Sequence, residues 1–227
     1  MTERQLPLDL AVPPRLSRAD FLPAPANTAA LAAVDAWRDW PGGRLLLRGT
    51  PGSGRTHLAA IWAAETGAVW LSGATLALPP LRAGRPAPRA YAVDDADQVA
   101  GDRPREVALF HLISRAQSDG AALLLTGSGA PGAWGITLPD LESRLQATAV
   151  AQLDRPDDDL IRMVLVKLFD ERQVPVSVET VDYLVRRIDR SLAAAGAVVE
   201  ALDRAALSRQ KRISRTLAAE ILAAPDG

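Results

Sequence analysis

The sequence contains no cysteine and only two histidines, His57 and His111. The first absence excludes disulfides and cysteine-ligated zinc, and two histidines are too few for a histidine metal site. No apolar run approaches the roughly 18–20 residues that a membrane-spanning helix needs. The first residues, Met1-Thr2-Glu3-Arg4-Gln5-Leu6-Pro7, lack an apolar signal core, so a cytoplasmic chain is expected rather than a secreted one. A surplus of either charge is missing as well. At a net charge of −1, no global field draws the chain to nucleic acid. The one dense basic run, with Arg204, Arg209, Lys211, Arg212 and Arg215, reads as a solvated helix end and turn.

What is present is a phosphate-cradling pattern. Gly49-Thr50-Pro51-Gly52-Ser53-Gly54-Arg55-Thr56 fits G-x-x-x-x-G-K-[ST] at every required position except the lysine, which is Arg55. Arg44-Leu45-Leu46-Leu47-Arg48 before it reads as a buried strand. The segment from His57 to Thr66 after it reads as a helix, with Leu58, Ile61 and Trp62 at helical spacing. Gly49, Gly52, Ser53 and Gly54 turn backbone N–H groups toward phosphate oxygens, and the following helix start adds partial positive charge. Arg55 keeps the lysine's charge in a bulkier, planar form. Binding of ADP or ATP is therefore expected, with weak or no turnover.

A second half-site supports the first. Arg89-Ala90-Tyr91-Ala92-Val93 is an apolar strand ending in Asp94 and Asp95. Asp94, with the Thr56 hydroxyl, is expected to hold Mg²⁺ through the nucleotide. Asp95 is placed to orient an attacking water. His57 directly follows the loop. That position puts it among the expected nucleotide-binding residues, although by residue type both histidines read as packing or surface residues.

The chain's 227 residues, 48% of them apolar, suffice for one α/β domain and a smaller one. Residues 1–20 hold Pro7, Pro13 and Pro14 and read as an extended tail. A helix is expected over Ala29–Trp40, capped by Asn27 or Thr28. Strands are expected at 68–71, 90–94, 121–126 and 149–153, with helices between them, the clearest from Arg105 to Gln117. This alternation predicts a parallel sheet covered by helices. Pro79 to Pro88 reads as a loop. Beyond Asp154 only helices are expected, over Asp157–Glu171, Val178–Ile188, Ser191–Ser208 and Thr216–Ala223, with Asp157 and Ser214 as caps. The expected division is thus 1–20 tail, 21–154 nucleotide-binding domain and 155–227 small helical domain.

A P-loop α/β domain followed by a small helical lid resembles the AAA+ ATPases, and several segments resemble the family of the bacterial replication initiator DnaA. Gln5-Leu6-Pro7-Leu8-Asp9-Leu10 is similar to the sliding-clamp-binding peptide of that family's short regulatory branch, the Hda-type proteins. Gly49 to Leu58 resembles the P-loop of that branch, where arginine also replaces the lysine. Leu138-Pro139-Asp140-Leu141-Glu142-Ser143-Arg144-Leu145 resembles the segment whose arginine reaches a neighbour's nucleotide. Leu202-Asp203-Arg204-Ala205 resembles the lid. The similarity spans nearly the whole chain.

The resemblance implies a negative regulator of replication initiation. Gln5, Leu6, Leu8 and Leu10 would bind the DNA polymerase sliding clamp, and Arg144 would act in trans on ATP held by DnaA. Asn27 and the 22–28 segment would contact adenine. Self-association is left open. The sequence also departs from the family. The lid arginine's place falls on Ala193, with Arg190 one turn earlier, and Thr126-Gly127-Ser128 stands where relatives often carry an acid. Ending at Gly227 leaves no room for the initiator's C-terminal helix-turn-helix domain, so sequence-specific DNA binding is not expected. Two alternatives remain: a self-sufficient AAA+ ATPase or helicase loader, and an adaptor that has lost nucleotide binding. For Arg144, the segment is expected to form a turn and then a helix carrying it near the start, with Leu141 and Leu145 facing the core.

Overall fold

A computed structural model describes residues 16–78 and 87–223. The clamp-binding residues Gln5, Leu6, Leu8 and Leu10 lie outside them. Within the described residues the chain forms two compact units. One holds residues 16–21, 29–49 and 55–152; the other holds 22–28, 50–54 and 153–223.

The first unit is built on a five-stranded sheet. Its strands are β1 (Arg44–Gly49), β2 (Val69–Ser72), β3 (Ala90–Asp94), β4 (Ala122–Gly127) and β5 (Ala149–Leu153), in the order β2-β3-β4-β1-β5. β1 pairs with β4, β4 with β3, and β3 with β2, all in parallel. The apolar runs dictate this arrangement. All six residues of β4 are buried, as are the first four of β3 and Leu45, Leu46 and Leu47 of β1. A strand covered on both faces needs a continuous apolar run. β5 at the edge instead alternates, with Ala151 and Leu153 buried and Val150 and Gln152 exposed.

Helix α1 (Pro25–Asp35) precedes the first strand, and α2 (Arg55–Thr66), α3 (Arg103–Asp119) and α4 (Pro139–Gln146) fall between the strands. Several expected boundaries move for local reasons. α1 begins at Pro25 rather than Ala29 and ends at Asp35 rather than Trp40. Proline suits a first helical position because its missing N–H is an orphan there anyway. Asn27 is therefore the third residue of the helix, not its cap. Its Oδ1 accepts from the Ala24 N–H at 2.8 Å, as a side chain at that position does in a capping box. α3 begins at Arg103 because the Asp102 side chain accepts from the Arg105 N–H at 3.1 Å. It ends at Gly120, whose φ of +65° lets its N–H reach the last carbonyls. Leu109, Leu112 and Ile113 of α3 join Leu46, Val93 and Leu125 of the sheet, and Leu141 and Leu145 of α4, in one buried core.

The second unit carries α5 (Asp158–Glu171), α6 (Val178–Val185), α7 (Leu192–Arg209) and α8 (Arg215–Ala223). Asp157, Ser177 and Ser191 each cap the helix that follows them through the side chain. α6 stops at Val185, short of the expected Ile188. Ile161, Leu165 and Phe169 of α5 pack with Leu184, Val199, Leu202 and Leu217 in a separate core. No helix among the described residues is long and apolar enough to cross a membrane.

Candidate functional site

The parallel register brings the carboxyl ends of β3 and β4 together, the edge of an α/β sheet where ligands gather. With Val93 opposite Leu125, Asp94 comes beside Thr126. The Thr126 hydroxyl is fully buried and donates to Asp94 Oδ1 at 2.7 Å. Thr126 Oγ1 in turn accepts from the Asp95 backbone N–H at 2.8 Å, so Thr126 holds both acids. The Thr56 hydroxyl lies 3.3 Å from Asp94 Oδ1.

Asp95 sits just past β3 in the left-handed region, at φ +49° and ψ +53°. An aspartate tolerates that conformation better than most side chains. Its carbonyl lies where a Cβ on Gly73 would be, 2.0 Å away, so the neighbouring β2 end has to carry glycine there. Burial pushes the Asp95 carboxyl up, the Asp94 charge adds to it, and Arg55 pulls the other way.

Arg55 opens α2, two residues earlier than the expected His57 start, and is 8% exposed. Its guanidinium does not stand free. Nη1 donates to Ser128 Oγ at 2.7 Å, and Nη2 donates to Asp95 Oδ1 at 3.1 Å. Ser128 is itself fixed, because the Trp134 indole N–H donates to its carbonyl at 2.6 Å. The Trp134 ring fills the space beside Gly127, where an added Cβ would stand 2.4 Å from the ring.

In the second unit, residues 50–54 form the glycine turn. Gly52 and Gly54 take φ of +75° and +100°, values that favour glycine. The Leu192 N–H donates to the Gly52 carbonyl at 2.8 Å. A Cβ on Gly52 would lie 2.4 Å from Ser191 Oγ. The Ser53 hydroxyl is buried without a hydrogen-bond partner among the described residues, and such a group ordinarily has one. Ala193 is exposed near the start of α7, and Arg190 is engaged by Asp158 at 2.8 and 3.2 Å. Asn27 spends both ends of its amide on its own segment, with Nδ2 donating to the Leu22 carbonyl at 2.9 Å.

The donor set suits a hard cation carried by a nucleotide. Thr56 and Asp94 offer neighbouring oxygens, and the described residues contain no group of three or more His, Cys, Asp or Glu that could hold a metal alone. Mg²⁺ there would draw its other ligands from phosphate and water.

Of the residues expected to act together, Arg55, Thr56, Asp94 and Asp95 form one cluster. His57 instead packs edge-on to Phe21, 5.3 Å between ring centroids, with Nε2 3.1 Å from the Ser17 carbonyl. Arg144 belongs elsewhere in the first unit. It lies in the last turn of α4, not near its start as expected, because α4 closes at Gln146. Leu141 and Leu145 are fully buried. The half-buried Arg144 guanidinium lies 4.6 Å from the Phe110 ring centroid and donates to Ser114 Oγ at 3.1 Å.

The sequence reading missed Thr126 and Ser128 as parts of the cluster, seeing in Thr126-Gly127-Ser128 only a missing acid. It also missed Glu106, a fully buried carboxylate that receives the N–H groups of Gly101, Thr137 and Leu138 and the Thr137 hydroxyl. A lone glutamate within an apolar helical face was the available signal.

A parallel sheet in the order β2-β3-β4-β1-β5 with flanking helices, whose first strand runs into a glycine turn and helix, matches the fold of the AAA+ domains of DnaA and RuvB. The described chain has the DnaA-like form of it. No protein-family model matches the sequence. Domain III of the Thermotoga maritima replication initiation protein DnaA superposes with a TM-score of 0.77 at 18% identity, covering 90% of this chain and 94% of that one. AMPPCP-bound DnaA from Aquifex aeolicus gives 0.69 at 16%, over 84% and 65%. The RuvB Holliday junction branch migration motor of T. maritima gives 0.61 at 20%, over 85% and 65%.

Proposed function

We propose that this chain is a nucleotide-binding regulator of replication initiation of the Hda type. The observation that carries the nucleotide reading is the glycine turn running straight into Arg55-Thr56, with Thr56 hydrogen-bonded to the acid ending β3. ADP or ATP would lay its phosphates on the N–H groups of residues 50–54 and on Thr56. Asp94 and Thr56 would hold the accompanying Mg²⁺. The 22–28 segment with Asn27 would border the base. The near-complete overlap with DnaA domain III supports the fold this reading needs, and the resemblance of the Leu138–Leu145 segment supports a role beside DnaA.

In this reading Gln5, Leu6, Leu8 and Leu10 dock on the sliding clamp, and Arg144 is offered to ATP held by a DnaA partner. A positive charge supplied in trans stabilises the charge that develops on the transferred phosphoryl group, typically worth about 10³–10⁵ in rate. The product is ADP-bound DnaA, unable to initiate.

The deciding experiment measures ATP hydrolysis by the cognate DnaA with clamp loaded on DNA, with and without this protein. Acceleration that requires Arg144 supports the reading. Unchanged DnaA hydrolysis, with ATP turnover by this chain alone, would replace it with the self-sufficient ATPase. Clamp binding without any ADP or ATP binding would replace it with the adaptor.

A further inference from the structure

We infer that Arg55 is an internal brake on this chain's own ATP hydrolysis: it binds Asp95 and Ser128 in place of the attacking water and the terminal phosphate. The inference rests on the nucleotide reading above and adds to it a residue that decides between holding ATP and cleaving it.

The geometry is specific. Asp95 is the acid placed to take a proton from water. Its Oδ1 accepts from Arg55 Nη2 at 3.1 Å, while its Oδ2 lies 3.4 Å from Gln98 Nε2. Both carboxylate oxygens thus face a donor. The other arm of the guanidinium holds Ser128 at 2.7 Å. The cation is nine-tenths buried and Asp95 about one-third exposed, so water competes weakly for the buried side of the pair.

Only arginine can do this. Its rigid fork reaches two partners at once, whereas a lysine brings one compact ammonium that turns to phosphate. The neighbours also fix the target. The Thr126 hydroxyl oxygen accepts from the Asp95 N–H, and the Ser128 carbonyl accepts from the Trp134 indole N–H. The pair therefore cannot drift apart without disturbing β3 and β4.

Released from Arg55, Asp95 has the chemistry for the step. A water oxygen forms a bond to the terminal phosphorus as the bond from that phosphorus to the bridging oxygen breaks. The nucleoside diphosphate leaves with the bridging electron pair, and the water proton passes to a free Asp95 oxygen. A positioned base of this kind contributes about 10²–10⁴ in rate.

The test uses the full chain without any partner. Wild type, Arg55→Lys and Arg55→Lys/Asp95→Asn are titrated with fluorescent ATP and ADP and assayed for phosphate release in single turnover. Arg55→Lys should release phosphate at least about tenfold faster than wild type, and the double variant should return to the wild-type rate. An Arg55→Lys protein that binds ATP yet hydrolyses it no faster overturns the inference.

A measurement without nucleotide guards against a variant that loses binding. Asp95→Asn should lower the melting temperature of wild type clearly more than that of Arg55→Lys, because the forked pair is already gone in the latter. Equal, additive shifts overturn the inference even if ATP binds. A wild type that binds neither nucleotide overturns the nucleotide reading itself, and the brake with it.

Discussion

The Thr137 hydroxyl donates to Glu106 Oε2 at 2.7 Å, tying a fully buried carboxylate of α3 to the segment that starts α4. Gly101, Thr137 and Leu138 add three backbone N–H donors at 2.9–3.1 Å. Burial alone would raise the Glu106 pKa, but these donors outweigh it and hold the carboxyl below its ordinary range. One glutamate thereby sets the position of α4, and α4 carries Arg144.

Because the folded-state pKa of Glu106 is depressed, its stabilisation is complete above the unfolded value of about 4.3. It is lost as pH falls through the lower native value. Glu106→Gln keeps the shape but loses the charge and one acceptor oxygen. It should cost about 1.5–3 kcal/mol at neutral pH, and the difference from wild type should shrink below about pH 4. Urea melts of both proteins at pH 7 and pH 3.5 check this; a pH-independent difference would count against it.

Gly52→Ala places a methyl 2.4 Å from Ser191 Oγ at a backbone φ of +75°. The expected loss is about 1–3 kcal/mol, with weaker ADP binding in calorimetry. Adding Ser191→Gly removes the clash at little cost to the α7 cap, since glycine is nearly as good there. The double variant should regain part of the stability, though not the part owed to backbone strain.

Asp94→Asn removes the charge expected to attract a nucleotide-borne cation and leaves the Thr126 hydroxyl a partner. Folding should survive, with a melting shift of at most a few degrees. The Mg²⁺-dependent part of ATP affinity should disappear, so that titrations with Mg²⁺ and with EDTA give the same value. A persisting Mg²⁺ effect would remove Asp94 from that role.

Arg144→Ala loses a cation–π contact with Phe110 and a hydrogen bond to Ser114. Such contacts are worth about 0.5–1 and 0.5–1.5 kcal/mol. The variant should therefore fold with a slightly lowered melting temperature while stimulation of DnaA hydrolysis is abolished. Retained stimulation would leave Arg144 a packing residue only.

Gln5→Ala with Leu6→Ala should abolish capture of the sliding clamp in a pull-down. Glutamine provides a donor and an acceptor, and each buried leucine about 1.5–3 kcal/mol. An unchanged melting temperature is expected alongside. A fall in it would mean that the peptide belongs to its own domain's fold.

The sequence by itself determined the sheet strands and the glycine turn, because both are local. Leu45-Leu46-Leu47 and Ala122-Leu123-Leu124-Leu125 can only be buried strands, and Gly52 and Gly54 supply backbone angles that other residues resist. It also determined the helical second unit through its caps at Asp157 and Ser214. Helix ends were less legible, since Pro25 and Asp102 reset them through single hydrogen-bonding details. What only the tertiary structure decided is what the charged side chains face. Arg55 is forty residues from Asp95 and seventy-three from Ser128, and no spacing rule links them. Strand register does, by bringing the ends of β3 and β4 to one edge of the sheet. The same register made Thr126 the residue that joins both acids. Packing of α4 on α3 gave Arg144 its seat on Phe110 and Glu106 its buried ring of donors. Hydrogen bonds across distant chain are set by where the backbone arrives, and that follows from the whole core rather than from any short segment.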